Sequence, residues 1–322
     1  MKTCFYTSQP NAAASMFYIS AFRQSHRIDF EYNDLNDYDN LLLMTYDHHL
    51  IGTVKDKYPN IKIGLIDPRG FEVADSAAQS DLLIVDSVEM EDYWSFSKKP
   101  MFRYVEYPYF SPRKKIHFDS PTIKIGYHGN LIHLDSMEKT VTPAINELGK
   151  KYDIELVIMH AFQKPCYGDS WVPKSVKVSH IPWSMKGYDE LAKCDIGIVP
   201  NNLPLKEESL DLTRTNKNLN YKYDDHILRF KMTSNPGRII VFGRLGIPVV
   251  CDMYPSALQF AGYGKNERAL VACRSEAWYT QIEKLILSKD LRNDMSDRMF
   301  EFVDHLDYNK QNIEFFKFLE KL

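Results

Sequence analysis

Residues 229–238 have the composition of an anion-binding helix start. Their letters are RFKMTSNPGR. Ser and Asn commonly cap helices and proline commonly occupies the first helical turn, so a helix capped by Ser or Asn is predicted to begin near Pro236. The amides of a helix start favour an anion, and basic side chains would add positive charge. The alternative is an ordinary capped helix with solvated basic residues. The predicted diphosphate-binding residues of this segment are Lys231, Ser234, Asn235, Gly237 and Arg238.

A second candidate phosphate loop follows the apolar run at residues 122–125. It reads Gly126-Tyr-His-Gly129-Asn130. Two glycines permit tight turns that bring backbone amides close to a phosphate. The spacing differs from the G-x-G-x-x-G of dinucleotide folds, so a plain strand-to-helix turn is the alternative interpretation. Gly129 and Asn130 are predicted to help hold the diphosphate.

Acid–base work is expected at polar residues that follow three apolar runs of the amino-terminal half, the third being Asp86-Ser87. The candidates for a single base are Asp47, His48 and His49 after the first run, and Asp67 after the second. Any one of them could deprotonate an acceptor hydroxyl within hydrogen-bond reach, and the sequence does not choose among them. For Asp67, an ordinary Asp-Pro turn is an equally good interpretation. A metal is not expected, because adjacent side chains diverge on regular structure and no third ligand is suitably spaced.

The composition limits the class of protein. A chain of 322 residues exceeds the usual single-domain size and predicts two domains. No apolar run approaches the ~20 residues that span a bilayer, and the start of the chain lacks the apolar core of a signal peptide, so we expect a cytoplasmic protein. A net charge of −3 gives no global attraction for nucleic acid, and none is expected as a partner. Five scattered cysteines without a C-x-x-C pair argue against a disulfide framework and a structural zinc site.

Apolar runs alternate with helical or polar stretches, which is typical of parallel α/β sheets. Two prolines and a basic triplet at residues 108–115 predict a linker, because neither a helix nor a central strand tolerates that proline placement. Residues 201–231 show no periodicity and predict a functional or partly disordered loop. The predicted strands are Thr3–Thr7, His26–Tyr32, Leu41–Tyr46, Ile61–Ile66, Leu82–Val85, Thr122–Tyr127, Ile154–His160, Val176–Ile181, Asp195–Pro200 and Val249–Cys251. The predicted helices include Ala12–Phe22, Glu138–Lys150, Tyr188–Lys193 and Pro236–Leu245.

These two strand–helix series predict an α/β protein with two doubly wound, Rossmann-like domains facing a cleft. Residues 1–112 are predicted as the acceptor domain and residues 113–300 as the donor domain. Residues 301–322 are predicted as a carboxyl-terminal helix that could return to the first domain. In such sheets ligands bind beyond the carboxyl ends of the strands, which is where the candidate residues above lie.

The turn Gly246-Ile-Pro248-Val-Val, which follows the predicted helix, resembles the G-x-P-V-V turn of GT-B glycosyltransferases. The loop 126–130 and the segment 188–200 match the same family in order and approximate spacing. The resemblance covers residues 123 to about 273 and implies a nucleotide-sugar donor held by the carboxyl-terminal domain. It also implies a nucleobase contact after the third strand of that domain, here at Pro182 and Trp183. Aromatic packing is the alternative role of Trp183.

One departure from the family concerns two glutamates that grip the donor in many retaining members. Ser234 and Val241 occupy those approximate places here. The usual argument for a retaining reaction is therefore lost, and the stereochemical course stays open. Asn235 and Arg238 are predicted to hold the donor instead.

The resemblance implies a glycosyltransferase that moves a sugar from a nucleoside diphosphate sugar to a glycan or lipid-linked acceptor, in cell-surface polysaccharide synthesis. The nucleotide sugar is a co-substrate, and no other cofactor and no metal are expected. A sugar-nucleotide epimerase or hydrolase of the same fold is one alternative, and a non-catalytic nucleotide-sugar-binding module is another. Three basic residues at 113–115 could touch the inner face of a membrane that carries a lipid-linked acceptor, although a solvated linker is the simpler interpretation.

Overall fold

Short runs of Leu, Ile and Val build two parallel β-sheets in this protein. The computed structural model describes residues 1–31, 34–45, 47–68, 73–108, 110–130, 132–161, 169–201 and 235–322. Of these residues, one compact unit holds those within 1–109, Asn235 and 306–322. The second unit holds those within 110–205 and 236–305.

The first unit is built on a six-stranded sheet in the order β2-β1-β3-β4-β5-β6, with every neighbouring pair parallel. Its central strands are buried along almost their whole length, as expected for a parallel sheet covered on both faces. The strands are β1 (Thr3–Thr7), β2 (Ile28–Asp29), β3 (Asn40–Met44), β4 (Lys62–Ile66), β5 (Leu82–Val85) and β6 (Met101–Arg103).

The second unit repeats this architecture with a sheet in the order β12-β11-β10-β7-β8-β9, again parallel throughout. The predicted fold class, two doubly wound α/β units, is confirmed in these two sheets. The strands are β7 (Ile123–His128), β8 (Ile154–His160), β9 (Lys177–Pro182), β10 (Ile196–Val199), β11 (Val249–Cys251) and β12 (Ala269–Val271).

Helices connect the strands, because a parallel pair requires a crossover. Numbered in order along the described chain, they are α1 (Ala13–Arg23), α2 (His48–Lys57), α3 (Val73–Gln79), α4 (Val88–Trp94), α5 (Ile132–Asp135), α6 (Val141–Leu148), α7 (Gly187–Leu191), α8 (Gly237–Arg244), α9 (Pro255–Ala261), α10 (Ser275–Leu287), α11 (Lys289–Asp304) and α12 (Tyr308–Leu319). Short 3₁₀ turns lie at Leu35–Asp37, Ser95–Ser97, Ser136–Lys139, Asp169–Trp171 and Gly264–Asn266. Within the described part of the chain, no helix combines the length and apolarity needed to cross a membrane.

The turn between α8 and β11 depends on the conformation of one glycine. Gly246 has a φ of +68°, in the left-handed region that favours glycine. The amide of Ile247 donates to the carbonyl of Phe242 over 2.9 Å, which closes the end of the helix. A Cβ on Gly246 would lie 2.6 Å from the carbonyl oxygen of Arg113. The G-x-P turn therefore leads the chain into β11, and the backbone of residue 113 packs directly against Gly246 of this turn.

The linker around residue 113 is bound to the second unit. Arg113 pairs with Asp189 over 2.6 Å, and the ammonium of Lys115 donates to the carbonyls of Ala192, over 3.1 Å, and Cys194. Burial lowers the pKa of Lys115, although Asp195 nearby partly offsets this effect. The simple interpretation of a solvated linker is therefore wrong for Lys115.

The carboxyl-terminal helix α12 belongs to the first unit. The ring of Phe315 is fully buried and stacks on Phe22 of α1 with centroids 5.8 Å apart. Asn312 donates to the carbonyl of Ala21 over 2.9 Å and accepts from the hydroxyl of Tyr104 over 2.9 Å. These contacts fix the last helix of the chain against the first helix of the sheet.

Candidate active site

The order of the second sheet indicates where a ligand would bind. The chain runs outward from β7 to β9 on one side and from β10 to β12 on the other. In sheets of this type, ligands bind at the carboxyl edge where the strand order reverses, here between β7 and β10. The residues at that point are His128 and Gly129 after β7, and Pro200 and Asn201 after β10.

Arg238, in the first turn of α8, lies at this switch point. One guanidinium nitrogen, Nη1, donates to the carbonyl of Pro200 over 2.7 Å. The other, Nη2, donates to Oδ1 of Asn201 over 2.8 Å. The side chain is half-buried, and its guanidinium has five N–H donors, so these two bonds use only part of its capacity. The predicted diphosphate-binding arginine is thus held where the sheet topology places a ligand.

Asn201 is itself fixed by a buried carboxylate. Its backbone amide donates to Oδ2 of Asp252, the residue that follows β11. Asp252 is only 1% exposed. A buried carboxylate requires hydrogen-bond donors, and the amide of Asn201 supplies one. A chain of contacts therefore runs from Asp252 through Asn201 to the guanidinium of Arg238.

Gly129 leaves room for this arginine. Its φ is +144°, and a Cβ there would lie 3.1 Å from Cδ of Arg238 and 3.0 Å from the hydroxyl of Tyr127. That hydroxyl donates to the carbonyl of Asn130 over 2.6 Å, which shapes the loop after β7. The predicted loop residues Gly129 and Asn130 therefore lie beside Arg238, and their role in phosphate binding stays a prediction.

Two buried aromatic side chains under this loop are uncharged. Burial, together with the positive charge of Arg238, lowers the pKa of His128 to about 3. Nε2 of His128 lies 3.3 Å from the carbonyl oxygen of Arg238, and because a carbonyl only accepts, Nε2 carries the hydrogen. Burial also raises the pKa of Tyr127, although Arg238 partly opposes that shift. Arg238 therefore supplies a positive charge beside two uncharged aromatic side chains.

Helix α8 begins directly after Pro236, which is its N-cap and makes no side-chain capping bond. Capping by Ser234 stays a prediction. Asn235 belongs to the first unit, where its Nδ2 donates to Asp86 over 3.1 Å and to Glu106 over 3.4 Å. Asn235 is therefore bound to carboxylates of the first unit and does not cap the helix. Gly237 begins α8, and Lys231 and Ser234 lie outside the described residues.

The predicted nucleobase contacts lie at the end of β9. Pro182 is exposed and Trp183 is half-buried. The indole Nε1 of Trp183 donates to the hydroxyl of Tyr188 over 3.4 Å, and its backbone amide donates to the carbonyl of His160 over 2.8 Å. These bonds fix the indole while leaving part of it accessible. Stacking of a base on Trp183 stays a prediction.

The acid–base candidates of the first unit have different surroundings. Asp47 is the N-cap of α2, and its carboxylate accepts from the amides of His49 and Leu50 over 3.0 and 3.2 Å. Asp67 is 3% exposed and has a φ of +53°, which non-glycine residues seldom adopt. The first sheet reverses its strand order between β1 and β3, so Asp47 follows a strand at that switch point.

The two histidines do not diverge as expected. The rings of His48 and His49 lie with centroids 4.1 Å apart and planes inclined by 36°. They occupy the first positions of α2, where Asp47 bonds the amide of His49. Among the residues that the structure describes, no group of three or more His, Cys, Asp or Glu side chains could hold a metal ion.

Replacing Asp47 tests whether it acts as a cap or as a base. Asp47→Asn keeps a good capping residue and is expected to leave the free energy of unfolding within about 0.5 kcal/mol, while Asp47→Ala loses about 1 kcal/mol. Urea unfolding of both variants measures this difference. If Asp47 is the base, the Asn variant will lose transfer activity despite its normal stability, whereas an unchanged rate removes Asp47 from the candidates.

Two residues of the site, Asn201 and Asp252, were missed in the sequence. They follow the runs 195–200 and 249–251. The position of a polar residue directly after an apolar run could have identified Asn201 and Asp252. Their mutual contact depends on neighbouring strands and could not be read from spacing.

Known structures resemble this protein along its whole length. HepE from Anabaena, in complex with UDP and glucose, has a TM-score of 0.68 and 12% sequence identity, with all of both chains covered. Sucrose-phosphate synthase from Thermosynechococcus elongatus has a TM-score of 0.65 and 10% identity, covering 100% of this chain and 99% of the other. The DNA-modifying enzyme β-glucosyltransferase has a TM-score of 0.61 and 10% identity, covering 99% of each chain.

The chain has the GT-B fold. The two parallel sheets and the full-length similarity carry this assignment. No family model matches the sequence, and no curated protein is significantly similar to it. At 10–12% identity the GT-B architecture is shared while most side chains differ. The chemistry of this GT-B protein must therefore be argued from its own residues.

Proposed function

We propose that this GT-B protein is a glycosyltransferase that moves a sugar from a uridine diphosphate sugar to a glycan acceptor. The observation that carries the proposal is the position of Arg238 at the switch point of the second sheet, bonded to Pro200 and Asn201. Structures of the similar HepE contain UDP, or UDP-glucose. A cation held beside a helix start and a glycine loop is suited to a diphosphate.

In this reaction the bond between the anomeric carbon and the diphosphate oxygen breaks, and a bond from the acceptor oxygen to that carbon forms. Negative charge develops on the leaving diphosphate, and Arg238 stabilises it together with amides of α8 and of the loop at Gly129. The acceptor hydroxyl loses its proton to a base of the first unit, for which Asp47, His48, His49 and Asp67 are the candidates. Because an arginine and amides supply the stabilisation, the reaction requires no metal.

The acceptor is a glycan, in keeping with a role in cell-surface polysaccharide synthesis. A lipid-linked form of this acceptor would bring the protein to the inner face of a membrane. The basic triplet contributes little to such a contact, because Arg113 and Lys115 are bonded within the second unit and Lys114 lies 3.9 Å from Asp297. Membrane association would depend on other residues or on the acceptor itself.

A donor panel tests the proposal. UDP and UDP-sugars are expected to raise the melting temperature in proportion to the logarithm of their concentration, because they bind only the folded state. UDP release from each sugar is then measured with and without glycan acceptors. Acceptor-dependent release supports transfer, release in water alone supports a hydrolase, and an isomerised sugar supports an epimerase. Binding without turnover supports a binding module, and no shift with any nucleotide contradicts the proposal.

A further inference from the structure

Two residues beyond Arg238 belong to the donor site. We propose that Asn201 and Asp252 are positioning residues that hold the guanidinium of Arg238 in the orientation in which it receives the diphosphate of the donor. This inference rests on the proposed function and adds to it the part of the site that sets affinity for the diphosphate. Neither residue contacts the diphosphate in this proposal, since each acts through Arg238.

The contact between Asn201 and Arg238 determines which atom of the amide faces the arginine. A guanidinium has only donors, so the side-chain atom of Asn201 at 2.8 Å from Nη2 is the acceptor Oδ1. The second acceptor, the carbonyl of the preceding Pro200, lies 2.7 Å from Nη1. Two acceptors on consecutive residues hold both outer nitrogens and thereby set the plane of the guanidinium.

Asp252 fixes the backbone that carries these acceptors. Its carboxylate accepts from the amide of Asn201. It follows β11, and its own amide donates to the carbonyl of Val199 over 3.1 Å. The end of β10 is therefore bonded to Asp252 through two backbone groups. Because Asp252 is only 1% exposed, water competes little for the hydrogen bond between its carboxylate and the amide of Asn201.

The neutrality of Asn201 is the second part of the inference. An amide oxygen orients Arg238 without neutralising it, so the full charge stays available to an incoming phosphate. A carboxylate in the same place would form a charge-assisted pair with the guanidinium and would cancel the charge that otherwise receives the phosphate. The isosteric change Asn201→Asp therefore retains the geometry and removes the function.

Calorimetric titration with uridine, UMP and UDP tests this role in the full chain. Asn201→Asp is expected to lower UDP affinity at least about tenfold and to leave uridine affinity unchanged. The control Asn146→Asp adds the same charge on α6, where Oδ1 of Asn146 accepts from the amides of Lys174 and Ser175. UDP affinity of this control is expected to equal that of the wild type.

A double-mutant cycle separates positioning from a structural role. In an Arg238→Ala background, Asn201→Asp is expected to change UDP affinity by less than about twofold, because its effect acts through the guanidinium. Asp252→Ala is likewise expected to change UDP affinity little in the Arg238→Ala background. If Asp252→Ala does not fold, the isosteric Asn201→Asp is sufficient for the test.

The two proposals fail differently. A wild-type protein that binds no UDP contradicts the proposed function and with it this inference. If the wild type binds UDP, a normal UDP affinity of Asn201→Asp overturns only the positioning role. An effect of Asn201→Asp that persists without Arg238, or that is equal for uridine and UDP, overturns it as well.

Discussion

Replacing Arg238 by alanine is expected to weaken UDP binding by about 10- to 100-fold. A hydrogen bond to a charged group contributes about 1.5–3 kcal/mol, and each 1.4 kcal/mol changes a dissociation constant about tenfold. The change removes the guanidinium at the switch point between β7 and β10, while the buried His128 beside it stays neutral. Calorimetry with UDP and uridine measures the loss, which should be confined to UDP.

The matched control for this prediction is Arg274→Ala. The Arg274 side chain is 83% exposed, and its guanidinium lies 3.9 Å from Glu276. The Arg274→Ala variant removes the same charge from the same unit and leaves the carboxyl ends of β7 and β10 unchanged. Equal losses of UDP affinity in both variants would mean that general electrostatic attraction, and not a contact at Arg238, drives binding.

The second large effect is expected in the turn before β11. Gly246→Ala should lower the free energy of unfolding by about 2–5 kcal/mol, because a left-handed alanine costs about 1–2 kcal/mol and forced overpacking adds about 1–3. The added Cβ would lie 2.6 Å from the carbonyl oxygen of Arg113 and 2.8 Å from the amide of Lys115. Both are backbone atoms and cannot rotate away. Urea unfolding followed by circular dichroism measures the change.

Gly264→Ala separates the two contributions. Gly264 has a φ of +60°, close to that of Gly246, but a Cβ there has no neighbour within 4 Å among the described residues. It should therefore lose only the conformational part, about 1–2 kcal/mol. If both variants lose the same amount, the packing of the linker against the turn does not contribute to stability.

The sequence was most informative where apolar runs are long. The strands Thr3–Thr7, Leu82–Val85, Ile154–His160 and Val249–Cys251 have the predicted bounds, because a buried parallel strand requires a continuous apolar run. Two edge strands, Met101–Arg103 and Ala269–Val271, were missed. Each has only three residues, too few for a pattern to separate them from loops.

Helices with few apolar residues were also missed. In α2 only two residues, Ile51 and Val54, are buried, so its pattern is weak, and the capping role of Asp47 at its start was not foreseen. The helix start at Pro236 was foreseen, but Asn235, one of the residues proposed as its cap, makes other bonds. Asn235 forms hydrogen bonds with Asp86 and Glu106, which are distant along the chain. Such long-range bonds are visible only in the tertiary structure.

The candidate site was predictable in part. Strand order follows from topology, so residues after β7 and β10 could be expected near a ligand, and Arg238 lies there. Its partners Asn201 and Asp252 come from different strands, and their alignment depends on the register of β10 against β11. Sequence spacing contains no information about that register.

A crystal structure of the protein with UDP tests the central claim most directly. The account predicts diphosphate oxygens within about 3 Å of the guanidinium of Arg238, a hydrogen-bonding distance, at the carboxyl ends of β7 and β10. Asn201 should still accept from the same guanidinium. UDP bound elsewhere, or a diphosphate that does not contact Arg238, would contradict the account.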